Sequence, residues 1–222
     1  MPRHFIEESK SNDPKPNALK RLHTLAERSL ADLTQQKQQL ALGRIRGTGP
    51  GVHFGSLIDE LDIAHPVTLK FPFENSDRVG GGIWGEENPP KGMPAIAKLQ
   101  WLEHADDLPI HVHEHSDRFI VVIGGRGFFH WSDQSVDDFD GSSVHTIAAR
   151  DRDVFVFRRG LLHTFSTAEH SMTLLSIQSP FIPFDASEQY ALPKAAWAAQ
   201  HNHIAPGAMN CSLSPVEPAF ML

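Results

Sequence analysis

Cysteine is almost absent from this chain of 222 residues, which has one, Cys211. A single cysteine excludes an intrachain disulfide and argues against a metal site built from thiolates. Tyrosine is equally rare, with one residue, whereas histidine occurs fourteen times. Histidine is therefore the residue type whose placement along the chain needs an explanation.

Long apolar runs and clusters of positive charge are also missing. No uninterrupted apolar run approaches the roughly 18 residues of a membrane-spanning helix, and the polar start "MPRHFIEESKSNDPKPN" lacks the apolar core of a signal peptide. The formal net charge of -7, without a block of Lys and Arg, argues against nucleic acid or an anionic membrane as a partner. We expect a soluble, cytoplasmic protein.

The N-terminal segment, residues 1–52, is predicted to hold a polar arm and one helix. Asn17 is placed to cap a helix that runs to about residue 42. Its apolar residues recur at three- and four-residue spacing: Leu19, Leu22, Ala26, Leu30, Leu33 and Leu40. The glycine-rich stretch "GRIRGTGPG" at 43–51 then ends the helix and serves as a linker, because it leads to no helix that could make it a phosphate-binding loop.

From about residue 66 the apolar period changes to two. Nine short segments separated by turn residues have the pattern of strands, namely "PVTLKFPF", "AIAKLQWL", "IHVHEH", "RFIVVIG", "GFFHW", "SVHTIAA", "DVFVFR", "HTFST" and "SMTLLSIQS". Strands without helices between them predict an all-β, antiparallel sandwich or barrel over residues 53–185. Residues 186–222 form a C-terminal extension, in which "ASEQYALPKAAWAAQ" has the pattern of a short helix interrupted by Pro193.

The stretch "PIHVHEHSDRFIVVIGGRG" at 109–127 is the candidate for chemistry. On a strand, His111 and His113 point to one face about 7 Å apart, which suits two imidazoles converging on one ion. A bend at "HSD" would let Asp117 return to the same site, and two histidines with a carboxylate form the facial set known from non-haem iron. His115 is the alternative third ligand, and polar residues alternating on a solvated strand are the alternative to any site.

Two segments resemble the paired motifs of the cupin superfamily. The first motif has His-x-His, three or four residues, Glu, six residues and Gly, and here it is His111, His113, Asp117 and Gly124. The second motif runs Gly, five residues, Pro-x-Gly, two residues, His, three residues, Asn. This chain keeps Gly160 and His163 of that motif and replaces its other positions with Arg152, Arg158 and Thr167. The resemblance covers roughly residues 66–180.

The resemblance implies a jelly-roll barrel with one divalent transition metal near its mouth. It implies His111, His113, Asp117 and His163 as ligands, with His115 able to replace Asp117. Imidazoles with one carboxylate suit Fe(II), Mn(II), Ni(II), Zn(II) or Cu(II), and we favour Fe(II). A homodimer and a small-molecule substrate are the expected partners.

The leading functional hypothesis is an Fe(II)-type oxygenase acting on a small organic molecule. An isomerase, lyase or decarboxylase would use the same ligands, and a non-catalytic ligand-binding protein would keep the same barrel. The parity of Asp117 predicts that Phe119, Val121 and Ile123 line the barrel above the metal. Further apolar lining is predicted from Phe129, Trp131, Phe155, Phe157 and Phe165. Arg158 and Arg159, beside the turn, could bind a substrate carboxylate or simply be solvated.

Overall fold

The structure, a computed structural model, describes residues 15–44, 78–84, 94–183 and 186–201. Within these ranges, one helix is followed by eight strands and a short 3-10 turn. The elements are α1 Lys15–Gln35, β1 Leu40–Arg44, β2 Val79–Trp84, β3 Ala95–Trp101, β4 Asp117–Ser132, β5 His145–Arg150, β6 Asp153–Phe157, β7 Leu162–Ser166, β8 Met172–Ser179 and the turn Ala199–His201.

Helix α1 is shorter than predicted at its C-terminal end. It begins at Lys15 rather than after a cap at Asn17, and it ends at Gln35 rather than near residue 42. Lys37 has a φ of 56°, a left-handed conformation that stops a helix. Leu40, which was counted as a helical residue, instead opens β1. The apolar spacing continued past the helix because the strand that follows it also has an apolar face.

The strands form two antiparallel sheets that share β4. The first sheet has the order β1-β6-β4-β8-β3-β2, and β5 and β7 pair with β4 outside that path. The first half of β4 pairs with β6 and β8, whereas its second half, residues 126–132, pairs with β5 and β7. The predicted all-β, antiparallel fold with an N-terminal helix is confirmed. β1 lies within residues 1–52 yet belongs to the sheet, and the limits proposed for the three segments stay a prediction.

Two glycines carry β4 from one sheet into the other. The register with β8 shifts between Val122 and Gly124, and Gly125 has a φ of 76°. A Cβ atom on Gly125 would lie 2.0 Å from the carbonyl oxygen of Ser171, so no side chain fits there. The segments "RFIVVIG" and "GFFHW", predicted as separate strands, are therefore one bent strand.

The interior between the sheets is apolar and rich in aromatic residues. It takes side chains from both sheets, among them Leu99, Ile120, Val122, Phe155, Phe157 and Leu174 from the first and Phe129, Trp131, Ala149 and Phe165 from the second. Helix α1 covers the opposite face of the first sheet. There Leu22, Ala26 and Leu33 pack on a layer formed by Ile96, Phe119, Val121, Val154, Val156, Leu175 and Ile177.

In this arrangement the side chains of β4 that were predicted to point inward point outward. Phe119, Val121 and Ile123 pack with helix α1, whereas Ile120 and Val122 face the interior. The prediction was wrong because it assumed that Asp117 points inward, and side chains on a strand alternate faces. Helix α1 covers the apolar outer face that Phe119, Val121 and Ile123 form.

Other segment predictions had mixed outcomes. "IHVHEH" is not a strand of either sheet, although His111 and Val112 form isolated bridges to His163 and Ala191. The C-terminal segment forms no α-helix within 186–201 and ends there in a 3-10 turn. "PVTLKFPF" lies outside the described residues, and β2 was not predicted. Among the described residues, no helix has the length and apolarity required to cross a membrane.

Candidate metal centre

Three histidines from two segments meet beside the interior. One ligand atom from each of His111, His113 and His163 lies within 4.8 Å of the other two. The ring centroid of His111 lies 4.7 Å from that of His163 and 5.0 Å from that of His113. His113 and His163 are 5.2 Å apart by the same measure. These are three of the four ligands that the sequence predicted from two distant motifs, the fourth being Asp117 with His115 as its alternative.

Backbone hydrogen bonds fix the two segments against each other. The N–H of His111 donates to the carbonyl of His163 at 3.0 Å, and the N–H of His163 donates to the carbonyl of His111 at 2.8 Å. The N–H of Gly160 donates to the carbonyl of His113 at 3.0 Å. Gly160 has a φ of 87°, which a glycine adopts without strain. The spacing of Gly160 and His163 thus has a local structural reason.

Each imidazole is held by a backbone carbonyl. His111 Nδ1 lies 3.0 Å from the carbonyl oxygen of Pro109, and His163 Nδ1 lies 2.9 Å from that of Leu161. His113 Nδ1 bonds to the carbonyl oxygen of Gln189. A carbonyl only accepts, so each ring carries its proton on Nδ1 and keeps its lone pair on Nε2. Metal-binding histidines are oriented in the same way.

The three rings are neutral at physiological pH. Burial lowers the pKa of His111 to about 4 and lowers the pKa of His113 and His163 well below the usual range. His111 and His163 are buried and His113 is partly buried. Neutral imidazoles do not have to lose a proton before they bind a cation. Three such nitrogens fit a divalent transition metal.

Asp117 and His115 are not brought to this group. The Asp117 carboxylate accepts from the backbone N–H of Arg159 at 2.7 Å and from Arg159 Nη2 at 2.9 Å. His115 is exposed on the loop before β4. The structure therefore gives the predicted carboxylate ligand another role, and neither residue is placed to complete the site. Arg159, considered for a substrate carboxylate, is bound to Asp117, and Arg158 is half-buried in the same turn.

Aromatic rings surround the histidines. The Phe157 ring lies 4.3 Å from the His163 ring, and the Phe129 ring lies 6.3 Å from it, between centroids. All five aromatic residues predicted to form an apolar lining belong to the interior cluster. Tyr190, to which the sequence assigned no role, places its ring 6.1 Å from that of His111. Gln189 and Tyr190 of the segment 186–201 thus contact the site, and no pattern in the sequence had indicated this.

Arg118 was also missed. It is buried, and its positive charge lowers the pKa of all three histidines, after the larger effect of burial. Burial lowers the pKa of Arg118 itself to about 9, which leaves it protonated at neutral pH. An arginine that opens the apolar run "RFIVVIG" was the available signal, and the sequence analysis gave it no role.

No family model matches this chain, and no curated protein matches it. Solved structures with a similar fold include the polyketide cyclase RemF from Streptomyces resistomycificus, 14% identical, with 53% of this chain and 76% of that chain covered and a TM-score of 0.43. The Cnp3 cupin domain from Schizosaccharomyces pombe is 13% identical, with 50% and 68% covered and a TM-score of 0.37.

A third similar structure is Streptomyces albus HEPD with 2-hydroxyethylphosphonate and Fe(II) bound, which is 11% identical with a TM-score of 0.41. The match covers 51% of this chain and 24% of that protein. At these identities the likeness concerns fold alone. This chain has two antiparallel sheets that share β4, an N-terminal helix and three histidines that could hold a metal. The solved structures similar to it are cupin-fold proteins.

Proposed function

We propose that this protein is a metal-dependent cupin-type enzyme that acts on a small organic molecule, and that its reaction is an Fe(II)-type oxygenation. The observation that carries the proposal is the convergence of His111, His113 and His163, whose ligand atoms lie within 4.8 Å of one another. Three uncharged nitrogen donors this close together, two of them on buried residues, contribute little to stability by themselves. They are the donor set that a divalent transition metal requires.

The roles of the residues follow from their contacts. His111, His113 and His163 would hold the ion through Nε2, because Nδ1 of each is bonded to a backbone carbonyl. A divalent metal bound there would supply a Lewis acid and open positions for substrate, water or dioxygen. Phe129 and Phe157 limit the access of water to one side of the site. Tyr190 contacts the other side, against His111.

A second candidate reaction is supported by the fact that, among the described residues, no carboxylate joins the three histidines. Three histidines without a carboxylate also form the catalytic zinc site in carbonic anhydrase. A metal-dependent isomerase, lyase or decarboxylase that uses Zn(II), Mn(II), Ni(II) or Cu(II) is therefore the alternative, followed by a non-catalytic small-ligand-binding protein. A cytoplasmic location and a homodimeric state stay predictions.

Oxygen uptake tests the proposed reaction. The full chain is stripped of metal, loaded anaerobically with Fe(II) or with Zn(II), and mixed with a panel of small organic acids, phenols and thiols. We expect substrate-dependent oxygen consumption by the Fe(II)-loaded protein alone, and none by a His111→Ala/His163→Ala variant. Turnover that is equal with Zn(II) and consumes no oxygen would favour the second candidate. Thermal stabilisation by a ligand without any turnover would favour the binding protein.

A further inference from the structure

Arg118 is a buried arginine of β4 that pairs with a neighbour of the histidine group. It is 3% exposed. In the first sheet its Cα is paired with Phe157 of β6 on one side and with Gln178 of β8 on the other. Residues paired in this way share a face of the sheet, and Phe157 belongs to the interior and contacts the His163 ring. The guanidinium is therefore on the inner face, beside the site.

The guanidinium is only partly satisfied. Nη1 donates to Ser116 Oγ and, at 3.2 Å, to the carbonyl of Asp117. Nη2 is buried and has no hydrogen-bond partner among the described residues, and the same holds for Oε1 of Gln178, the residue paired with Arg118. A buried charged donor left without a partner costs more than an ordinary lost hydrogen bond. Such a group in a folded protein calls for an explanation.

Asp117 is the adjacent acid, and its negative charge partly offsets the lowering of the Arg118 pKa by burial. The Asp117 carboxylate is bound to Arg159. Within residues 15–44, 78–84, 94–183 and 186–201, no carboxylate oxygen lies within 4.0 Å of the Arg118 guanidinium. A divalent ion on the three neighbouring histidines would add more positive charge. The site is thus electropositive and buried, a setting that strengthens the attraction of an anion.

We propose that Arg118 binds an oxyanion group of the substrate, a carboxylate or a phosphate group, beside the three-histidine group. The oxyanion would accept from Nη2 and neutralise the buried cation. Arg118 is then the residue that makes the site specific for small organic anions. This inference rests on the proposed function only in placing substrate and metal at one site, and anion binding can be measured without metal.

Ligand binding to the unmodified protein is the first measurement. Melting temperature and calorimetric Kd are recorded for benzoate, its uncharged counterpart benzamide, and inorganic phosphate, with metal-free and with Zn(II)-loaded protein. We expect benzoate or phosphate to bind at least about 10-fold more tightly than benzamide, as a charge-assisted hydrogen bond requires. Benzoate and phosphate separate the two kinds of oxyanion. Equal affinity for all three compounds would overturn the proposal.

Substitution of Arg118 is the second measurement. Arg118→Met should raise the melting temperature of the ligand-free protein, because it removes an unpaired buried charge, and should weaken oxyanion binding about 10-fold or more. Arg118→Lys should retain part of the binding. Arg126→Met, an exposed arginine of the same strand, is the matched control and should change neither quantity.

The failures of the two proposals are distinguishable. Oxyanion binding that is unchanged in Arg118→Met would show that the metal alone holds the anion and would overturn the role of Arg118. Preferential oxyanion binding by a protein that retains no metal would support Arg118 and contradict the proposed enzyme. If Arg118→Met does not fold, the comparison of benzoate with benzamide on the unmodified protein still decides.

Discussion

The Asp117 carboxylate is paired with the Arg159 guanidinium, with Oδ2 2.9 Å from Nη2. The backbone N–H of Arg159 also donates to Oδ1 at 2.7 Å. The pair joins the start of β4 to the turn between β6 and β7, three residues before β7 begins at Leu162. That turn leads directly to His163, so the pair positions a histidine of the site without contacting the histidine group itself.

We predict that Asp117→Asn retains the metal. The substitution removes the ion pair, which is partly exposed, and should destabilise the protein by about 1 kcal/mol. Elemental analysis after reconstitution and urea unfolding measure the two effects. Arg159→Gln should cause a similar loss, and the double substitution should cost less than the sum of the two. Loss of metal from Asp117→Asn would instead identify this carboxylate as a ligand, as the sequence had predicted.

The metal occupancy itself gives a second prediction. The full chain should take up about one divalent transition metal, and His111→Ala with His163→Ala should abolish that uptake because two of three donors are lost. His115→Ala is the control, since His115 lies only four residues from His111 and is exposed. Elemental analysis and circular dichroism of each variant would separate loss of metal from loss of fold. Metal loss in His115→Ala would show that the site has a different ligand set.

A buried histidine away from the site predicts the pH dependence of stability. His130 is 0% exposed, and its ring nitrogens bond to Thr146 Oγ1 at 2.8 Å and to Ser166 Oγ at 2.7 Å. Burial lowers the pKa of His130 to about 4, whereas the unfolded chain keeps the usual value of about 6.5. Above pH 6.5 both states are neutral there, so His130 contributes no pH dependence.

Below pH 6.5 the unfolded chain binds a proton that folded His130 does not bind, so stability falls as the pH falls toward 4. Between pH 7 and pH 5 this residue should lower the free energy of unfolding by about 2 kcal/mol. Urea unfolding of metal-free protein at both pH values measures it. In His130→Gln the fall in the free energy of unfolding between the two pH values should be smaller by about 2 kcal/mol. Substitution of the exposed His170 by Gln should leave that fall unchanged. Identical losses in all three proteins would contradict the assignment.

Much of the fold followed from local pattern. Alternation of apolar and polar side chains marked most of the strands, because a strand that buries one face carries an apolar side chain at every second residue. The limits of α1 were missed because Leu40 fits the helical spacing as well as the strand that contains it. The path of β4 was missed because two glycines favoured a break, and only pairing with both sheets keeps that strand continuous.

The histidines of the site could be found because they lie in two motifs with recognisable spacing. The covering residues could not be found in the same way. Gln189 supplies a backbone carbonyl to His113, and any residue type has a carbonyl to offer. Tyr190 approaches His111 from a segment without strand or helix periodicity. Contacts of this kind depend on where the chain returns after the sheets have formed.

The sequence alone determined an antiparallel all-β chain with an N-terminal helix, and it determined that His111, His113 and His163 are the histidines to bring together. The tertiary structure decided which of two adjacent charged residues faces them. Side chains on a strand alternate, so a shift of one residue exchanges the two faces. The pairing of Arg118 with Phe157 and Gln178 turns Arg118 inward. Asp117, the residue before it, therefore points away from the histidines and forms an ion pair with Arg159.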